Sequence, residues 1–189
     1  ESRYIPDIRQ DRQERVAVIG SGPAGLSCAY NLAREGYKAR IYEKLPVAGG
    51  MLSVGIPAYR LPKEIIEAEI RIIEEMGVEI RTGVEIGRDI SLDRLRKEGY
   101  SALFLGVGSQ VCRTMGIEGE DLLGVLSGLD LLRDVNLGKD VPLGNRVAVI
   151  GGGNVAMDAV RTAKRLGAQE AFVIYRRGLE EMPANEEEI

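Results

Sequence analysis

The sequence predicts an α/β chain of two halves, each built on a parallel sheet, and three observations predict it. Arg15-Val16-Ala17-Val18-Ile19-Gly20 recurs letter for letter as Arg146-Val147-Ala148-Val149-Ile150-Gly151. Each copy enters a glycine-rich turn and then a helical pattern that stops at a glycine, Gly36 or Gly167. A second short apolar run follows each helix. Short β-branched runs without polar alternation are the pattern of strands buried on both faces of a parallel sheet. Both copies therefore read as first strands of β-α-β units.

In the first copy, Gly20-Ser21-Gly22-Pro23-Ala24-Gly25 has the spacing G-x-G-x-x-G. The first glycine allows the tight turn, the second lets backbone approach a pyrophosphate, and the third lets the helix pack close to the sheet. A helix over Leu26 to Glu35 leads to a strand over Tyr37 to Tyr42, and Glu43 follows directly. An acid about 20 residues beyond the first glycine is where such a fold binds the adenosine ribose diol.

In the second copy, Gly151-Gly152-Gly153-Asn154-Val155-Ala156 carries alanine in the third glycine's place, which sets the helix slightly off the strand. A helix over Asn154 to Leu166 and a strand over Ala171 to Tyr175 follow, ending in Arg176 and Arg177 instead of an acid. Guanidinium groups at that point suit a 2′-phosphate, so this site is expected to prefer NADPH to NADH. The alternative is a pair of solvated surface arginines. The fold class is thus two Rossmann-like dinucleotide-binding domains, the second of them suited to NADPH. The second domain and the closure of the first are expected to be truncated, because a single β-α-β unit offers little sheet and the chain stops at Ile189.

Between the copies, Pro46, Gly49, Gly50 and Pro57 mark a loop in which glycine permits close approach to a planar ligand. Pro62 then opens a helix with Ile66, Ile70 and Ile73 on one face and Gly77 at its end. Val78 to Thr82, Val84 to Ile86 and Ala102 to Leu105 are strand candidates, and Ser91 caps a short helix to Lys97. From Ser109 to Gly144 the pattern loosens around a helix at Ser127 to Val135. The expected boundaries are a connector at 1–14, the first dinucleotide domain at 15–110, a linking region at 111–144 and the NADPH domain at 145–189.

Composition excludes several classes. A net charge of -4 from 29 acidic and 25 basic residues spread along the chain offers no basic face for nucleic acid or an anionic membrane. No long apolar run or signal peptide is present, so the expected location is cytoplasmic. The absence of histidine removes His-based general bases, triads and most zinc sites, leaving no catalytic side chain and no metal ligand set to name. Cys28 and Cys112 form no C-x-x-C pair, so a disulfide reductase would lack its dithiol.

With these residues assembled, the chain resembles the glutamate synthase small subunit family, which includes the flavoprotein halves of dihydropyrimidine dehydrogenase and of ferredoxin-linked transhydrogenases. The resemblance covers nearly the whole chain. It is carried by Val18 to Gly25, by Gly49-Gly50-Met51-Leu52 with Gly55-Ile56-Pro57-Ala58-Tyr59-Arg60-Leu61-Pro62, by Gly151 to Asp158, and by Tyr175-Arg176-Arg177 with Glu181-Met182-Pro183-Ala184. It implies FAD at the first site, with Glu43 on the ribose and Lys44 beside it in the binding set. Gly49 to Leu52 and Arg60 would lie near the flavin, backbone at Ile86 near the adenine, and Gly108 near the pyrophosphate. NADPH would be held through Gly152 to Val155, Arg176 and Arg177. Asp158 is either a supporting helix residue or a solvated one.

The resemblance also implies an iron–sulfur protein or large catalytic subunit as partner. The family's cysteine-rich N-terminal segment is not found in this sequence; only Arg3-Tyr4-Ile5-Pro6-Asp7 resembles the connector that follows it. Any clusters are therefore expected in missing segments or in the partner. Chemistry carried by two cofactors asks the protein for alignment and exclusion of water, so the lack of an ionisable catalytic group costs nothing. The competing reading is a nucleotide-binding or assembly module of a larger redox complex, without turnover of its own.

Overall fold

The computed structural model describes residues 5–9 and 12–189; of the connector, Arg3 and Tyr4 lie outside the described residues. Two compact units divide the chain. One comprises residues 1–53 and 61–109, and the other residues 54–60 and 110–189.

The first unit begins with β1 (Arg15–Ile19), α1 (Pro23–Arg34) and β2 (Lys38–Tyr42). A short α2 (Met51–Val54) spans the change from first to second unit, where the sequence reads as loop. Then come α3 (Lys63–Glu75), β3 (Glu79–Arg81), α4 (Leu92–Lys97) and β4 (Tyr100–Leu105). The four strands form one parallel sheet in the order β3-β2-β1-β4. Val84 to Ile86 is not a strand; only an isolated bridge joins Ile86 to Ile90.

The central strand β1 is buried on both faces, as its unbroken apolar run requires. Val18 and Ile41 join Leu26, Ala29 and Ala33 of α1 and Ile73 of α3 in one core layer. On the opposite face Ala17, Ile19 and Tyr42 pack with Leu95 of α4 and Tyr100. The Tyr42 and Tyr100 hydroxyls lie 3.0 Å apart, and Arg40 Nη1 donates to the latter at 2.9 Å. These bonds supply the partners that buried polar tips need.

The second unit contains α5 (Gly128–Asn136), β5 (Arg146–Ile150), α6 (Asn154–Arg165) and β6 (Glu170–Ile174). Ser127 caps α5 by accepting the Asp130 N–H at 3.2 Å. Strands β5 and β6 pair in parallel, and α6 covers one face of the pair through Ala156 and Met157 against Val149 and Val173. Here the expectation of a strand buried on both faces fails: β5 alternates, with Arg146, Ala148 and Ile150 exposed. A two-stranded sheet with a helix on one side can bury only every second residue. Beyond β6, Asn185 leads into a single 3-10 turn, Glu186–Glu188.

The two glycine turns differ in how closely the helix approaches. A β-carbon on Gly25 would lie 1.9 Å from the Gly20 carbonyl oxygen, a collision that only a shift of the main chain would relieve. Ala156 occupies the matching place in the second unit without collision, 3.3 Å from the β-carbon position of Gly151. Gly25→Ala should therefore lower the unfolding free energy by about 3 kcal/mol or more. Ala156→Gly should cost only about 1 kcal/mol, as glycine does inside a helix. Urea unfolding of both variants checks the contrast.

Candidate functional site: two glycine turns with different neighbours

At the first turn, Gly20 takes φ +99°, a conformation that glycine adopts freely. A β-carbon on Gly22 would meet nothing within 4 Å, so the turn leaves open space where a pyrophosphate can approach. Pro23 starts α1, whose first N–H groups have no partner within the helix. Ala24 is exposed beside it.

Glu43 stands directly after β2 and is only 3 % exposed. The Ser21 main-chain N–H and hydroxyl both donate to its Oε2, at 2.9 and 2.6 Å, and the Leu45 N–H donates to Oε1 at 2.8 Å. A buried carboxylate needs such donors, and three bonds leave about one of its four acceptor positions unused. Ser21 further accepts the Gly49 N–H on both Oγ and its own carbonyl, each at 3.1 Å. Turn, acid and the Gly49-Gly50 corner are thus one hydrogen-bonded group. Lys44 is exposed next to it.

Gly50 lies so close to Gly22 that a β-carbon would sit 2.7 Å from the Gly22 Cα, and Met51 and Leu52 begin α2 from there. Ile86 packs against the Ala17, Ile19 and Tyr42 layer. Gly106 N–H donates to the Ile19 carbonyl at 2.8 Å, and Gly108 follows at φ +69°. All of these residues belong to the first unit.

Arg60 belongs to the second. Its Nη1 donates to Asp158 Oδ2 at 2.8 Å, and its Nε pairs with Glu188 at 3.1 Å. Burial opposes the guanidinium charge, but the Asp158 hydrogen bond and attraction, reinforced by Glu188, hold its pKa above the ordinary arginine value. Asp158, on α6 and 4 % exposed, also accepts the Tyr59 hydroxyl at 3.3 Å. Burial first, and then the Asp158 charge, push the Tyr59 phenol up. Asp158 is therefore a buried ion-pair residue, not a solvated helix position.

At the second turn, Gly151 takes φ +144° and a β-carbon on Gly153 would have only Pro183 Cγ near it, at 3.9 Å. Asn154 Oδ1 accepts the Asn185 N–H at 2.9 Å, so this side chain clips a later segment, and Val155 is 44 % exposed. Arg176 and Arg177 follow the turn's second strand, both exposed, and neither pairs with a carboxylate among the described residues. Sequence reading missed Leu45, which contributes only a backbone N–H and so carries no sequence signal.

The cysteines form no redox pair among the described residues. Cys28 and Cys112 are free thiols; burial pushes Cys28 up, and Cys112 accepts the Ser127 hydroxyl at 2.7 Å. No group of acidic residues or cysteines able to hold a metal ion occurs among the described residues. No helix among them is long and apolar enough to cross a membrane.

Two glycine turns, each between a first strand and its helix, define a protein of the parallel α/β class. Residues 14–189 match the pyridine nucleotide-disulphide oxidoreductase family, and the chain belongs to it. The NADP(+)-dependent formate dehydrogenase subunit beta of Moorella thermoacetica is 50% identical over 93% of this chain and 25% of its own length. The glutamate synthase [NADPH] small chain of Escherichia coli is 41% identical over 100% of this chain and 43% of its own length. Among solved structures, FprA of Mycobacterium tuberculosis in complex with NADPH has a TM-score of 0.77 at 25% identity, over 94% of this chain and 46% of that one. The chain thus spans less than half the length of these relatives.

The Arg60 pairing has a direct check. Arg60→Ala leaves the buried Asp158 without its cation and should lower the unfolding free energy by about 3 kcal/mol. An unchanged urea midpoint accompanied by loss of bound flavin would assign Arg60 to the flavin instead.

Proposed function

We propose that the chain is the nucleotide-binding part of an NADPH-dependent flavin oxidoreductase, with FAD at the first turn and NADPH at the second. The observation that carries this reading is one glycine turn written twice with different residues after the second strand: a buried acid, Glu43, in one and exposed Arg176 and Arg177 in the other. It is supported by relatives whose names carry NADPH or NADP(+) and by the match to FprA with NADPH. FAD bound at the first site would accept the reducing equivalents of NADPH and release them to an iron–sulfur partner or large catalytic subunit in the cytoplasm.

The chain's own part is binding and orientation. Ser21 and Leu45 hold Glu43 with a spare acceptor position on Oε1 for a ribose hydroxyl. The open backbone at Gly22 and the start of α1 suit a pyrophosphate, which needs main-chain N–H groups and no lysine. In the second unit, Gly153 offers the same opening, and the two arginines offer charge-assisted bonds to a 2′-phosphate. No side chain of this set has to exchange a proton with a reacting atom, in keeping with a site built for alignment.

A second reading is favoured by the relatives' being a subunit beta and a small chain. In that reading the chain binds nucleotide within an assembly and has no turnover of its own. Reduction of an artificial dye by NADPH separates the two, since only the oxidoreductase catalyses it.

The decisive test is a visible spectrum of the full polypeptide before and after anaerobic NADPH. Flavin bands that bleach are the expected result; bands that persist would remove the second site from the reading. Replacing Arg176 and Arg177 together by alanine should weaken NADPH by about 10²-fold or more, the worth of two charged hydrogen bonds. NADH binding should change little, and equal losses for the two cofactors would exclude contact with the 2′-phosphate.

A further inference from the structure

The register inside the two repeats aligns residues that counting along the sequence does not. Gly20 N–H donates to the Tyr42 carbonyl at 2.8 Å, and Gly151 N–H donates to the Ile174 carbonyl at 3.0 Å. Correspondingly, Ile19 faces Tyr42 across the strands and Ile150 faces Ile174. Tyr175 therefore holds the place of Glu43, and Gly152 holds the place of Ser21. Counting from the first glycine points to Ile174 instead. The reason is that Leu166 to Gln169 joins α6 to β6 where the shorter Glu35 to Tyr37 joins α1 to β2.

These two places touch in both repeats, with opposite chemistry. In the first, the Glu43 carboxylate takes the N–H and hydroxyl of Ser21. In the second, the Tyr175 ring lies on Gly152, so that a β-carbon there would sit 2.7 Å from ring Cδ2 and Cε2. The ring demands glycine at this position. The Tyr175 hydroxyl donates to the Glu181 carbonyl at 3.0 Å. Residues just beyond are tied back to the turn: Ala184 N–H donates to the Gly152 carbonyl at 3.0 Å, and Asn185 N–H to Asn154 Oδ1 at 2.9 Å.

We propose that Tyr175, seated on Gly152, is a specificity-determining residue of the second site. The assignment rests on reading that site as a nucleotide site. A neutral ring stands where the first repeat has its ribose-binding acid, and its hydroxyl is committed to Glu181. The site therefore presents the cations of Arg176 and Arg177 with no carboxylate in the acid's place. Ser-Glu at the two places selects a free ribose diol, and Gly-Tyr selects a ribose bearing a 2′-phosphate. The second glycine of this turn is thus a packing requirement of the ring as well as an opening for ligand.

The test is titration calorimetry on the full chain with its first site saturated by FAD. The probes are 2′,5′-ADP and 5′-AMP, adenosine fragments with and without the 2′-phosphate. Tyr175→Glu should weaken 2′,5′-ADP by about 10²-fold through like-charge repulsion, with 5′-AMP held or tightened. Tyr175→Gln, equal in size to glutamate and uncharged, should keep the preference for 2′,5′-ADP. Gly152→Ser should displace the ring and weaken both probes, whereas combining it with Tyr175→Glu should restore 5′-AMP. A Tyr175→Glu protein that still prefers 2′,5′-ADP would overturn the assignment, as would a Tyr175→Gln protein that loses as much as Tyr175→Glu. Wild-type protein that binds neither fragment would bring down the nucleotide reading itself, and the assignment with it.

Discussion

A carboxylate removed from water in the first unit sets the terms for everything around it. Glu43 sits at the exit of β2, and an ion so placed is tolerable only if donors replace the water it has lost. Those donors come from the turn after β1 and from the backbone just beyond the acid. Because Ser21 also receives the Gly49 N–H, the requirement of one charge holds three stretches of sequence in fixed relation. The sheet supplies the depth of burial, and burial makes each hydrogen bond count for more.

The second unit shows what the same backbone plan becomes when that charge is absent. Its turn is held by an aromatic ring, a carboxamide clip and a main-chain bond from Ala184. Its buried charge lies further along α6, at Asp158, where Arg60 and Tyr59 supply the compensation. Similar strands and turns therefore support dissimilar surroundings. A six-letter repeat is good evidence for common geometry and poor evidence for common side-chain chemistry around the turn.

Much of the fold was legible because its strongest signals are local. The apolar runs of β1 and β5, the helix stops at Gly36 and Gly167, and the cap at Ser91 all act within a few residues. Val84 to Ile86 misled because a short β-branched run looks alike whether it joins a ladder or makes one bridge. The turn residues and Glu43 were legible as a set, since spacing alone brings them together. What spacing hides is which atom bonds which: that Ser21 grips the acid, that Tyr175 replaces it, and that Arg60 pairs with Asp158, 98 positions away. Those contacts are decided by register and by packing between distant segments, which leave no periodic trace.

The pairing of Arg60 with Asp158 also bears on how such a chain is made and inherited. Residues 54–60 are joined by contact to a unit whose remaining residues begin at 110, so that unit is not one continuous stretch of the polypeptide. During synthesis Tyr59 and Arg60 leave the ribosome well before α6, and their charged partner has yet to be translated. A recombination event that carried the later stretch without residues 54–60 would deliver Asp158 into its new host with neither its cation nor its phenol.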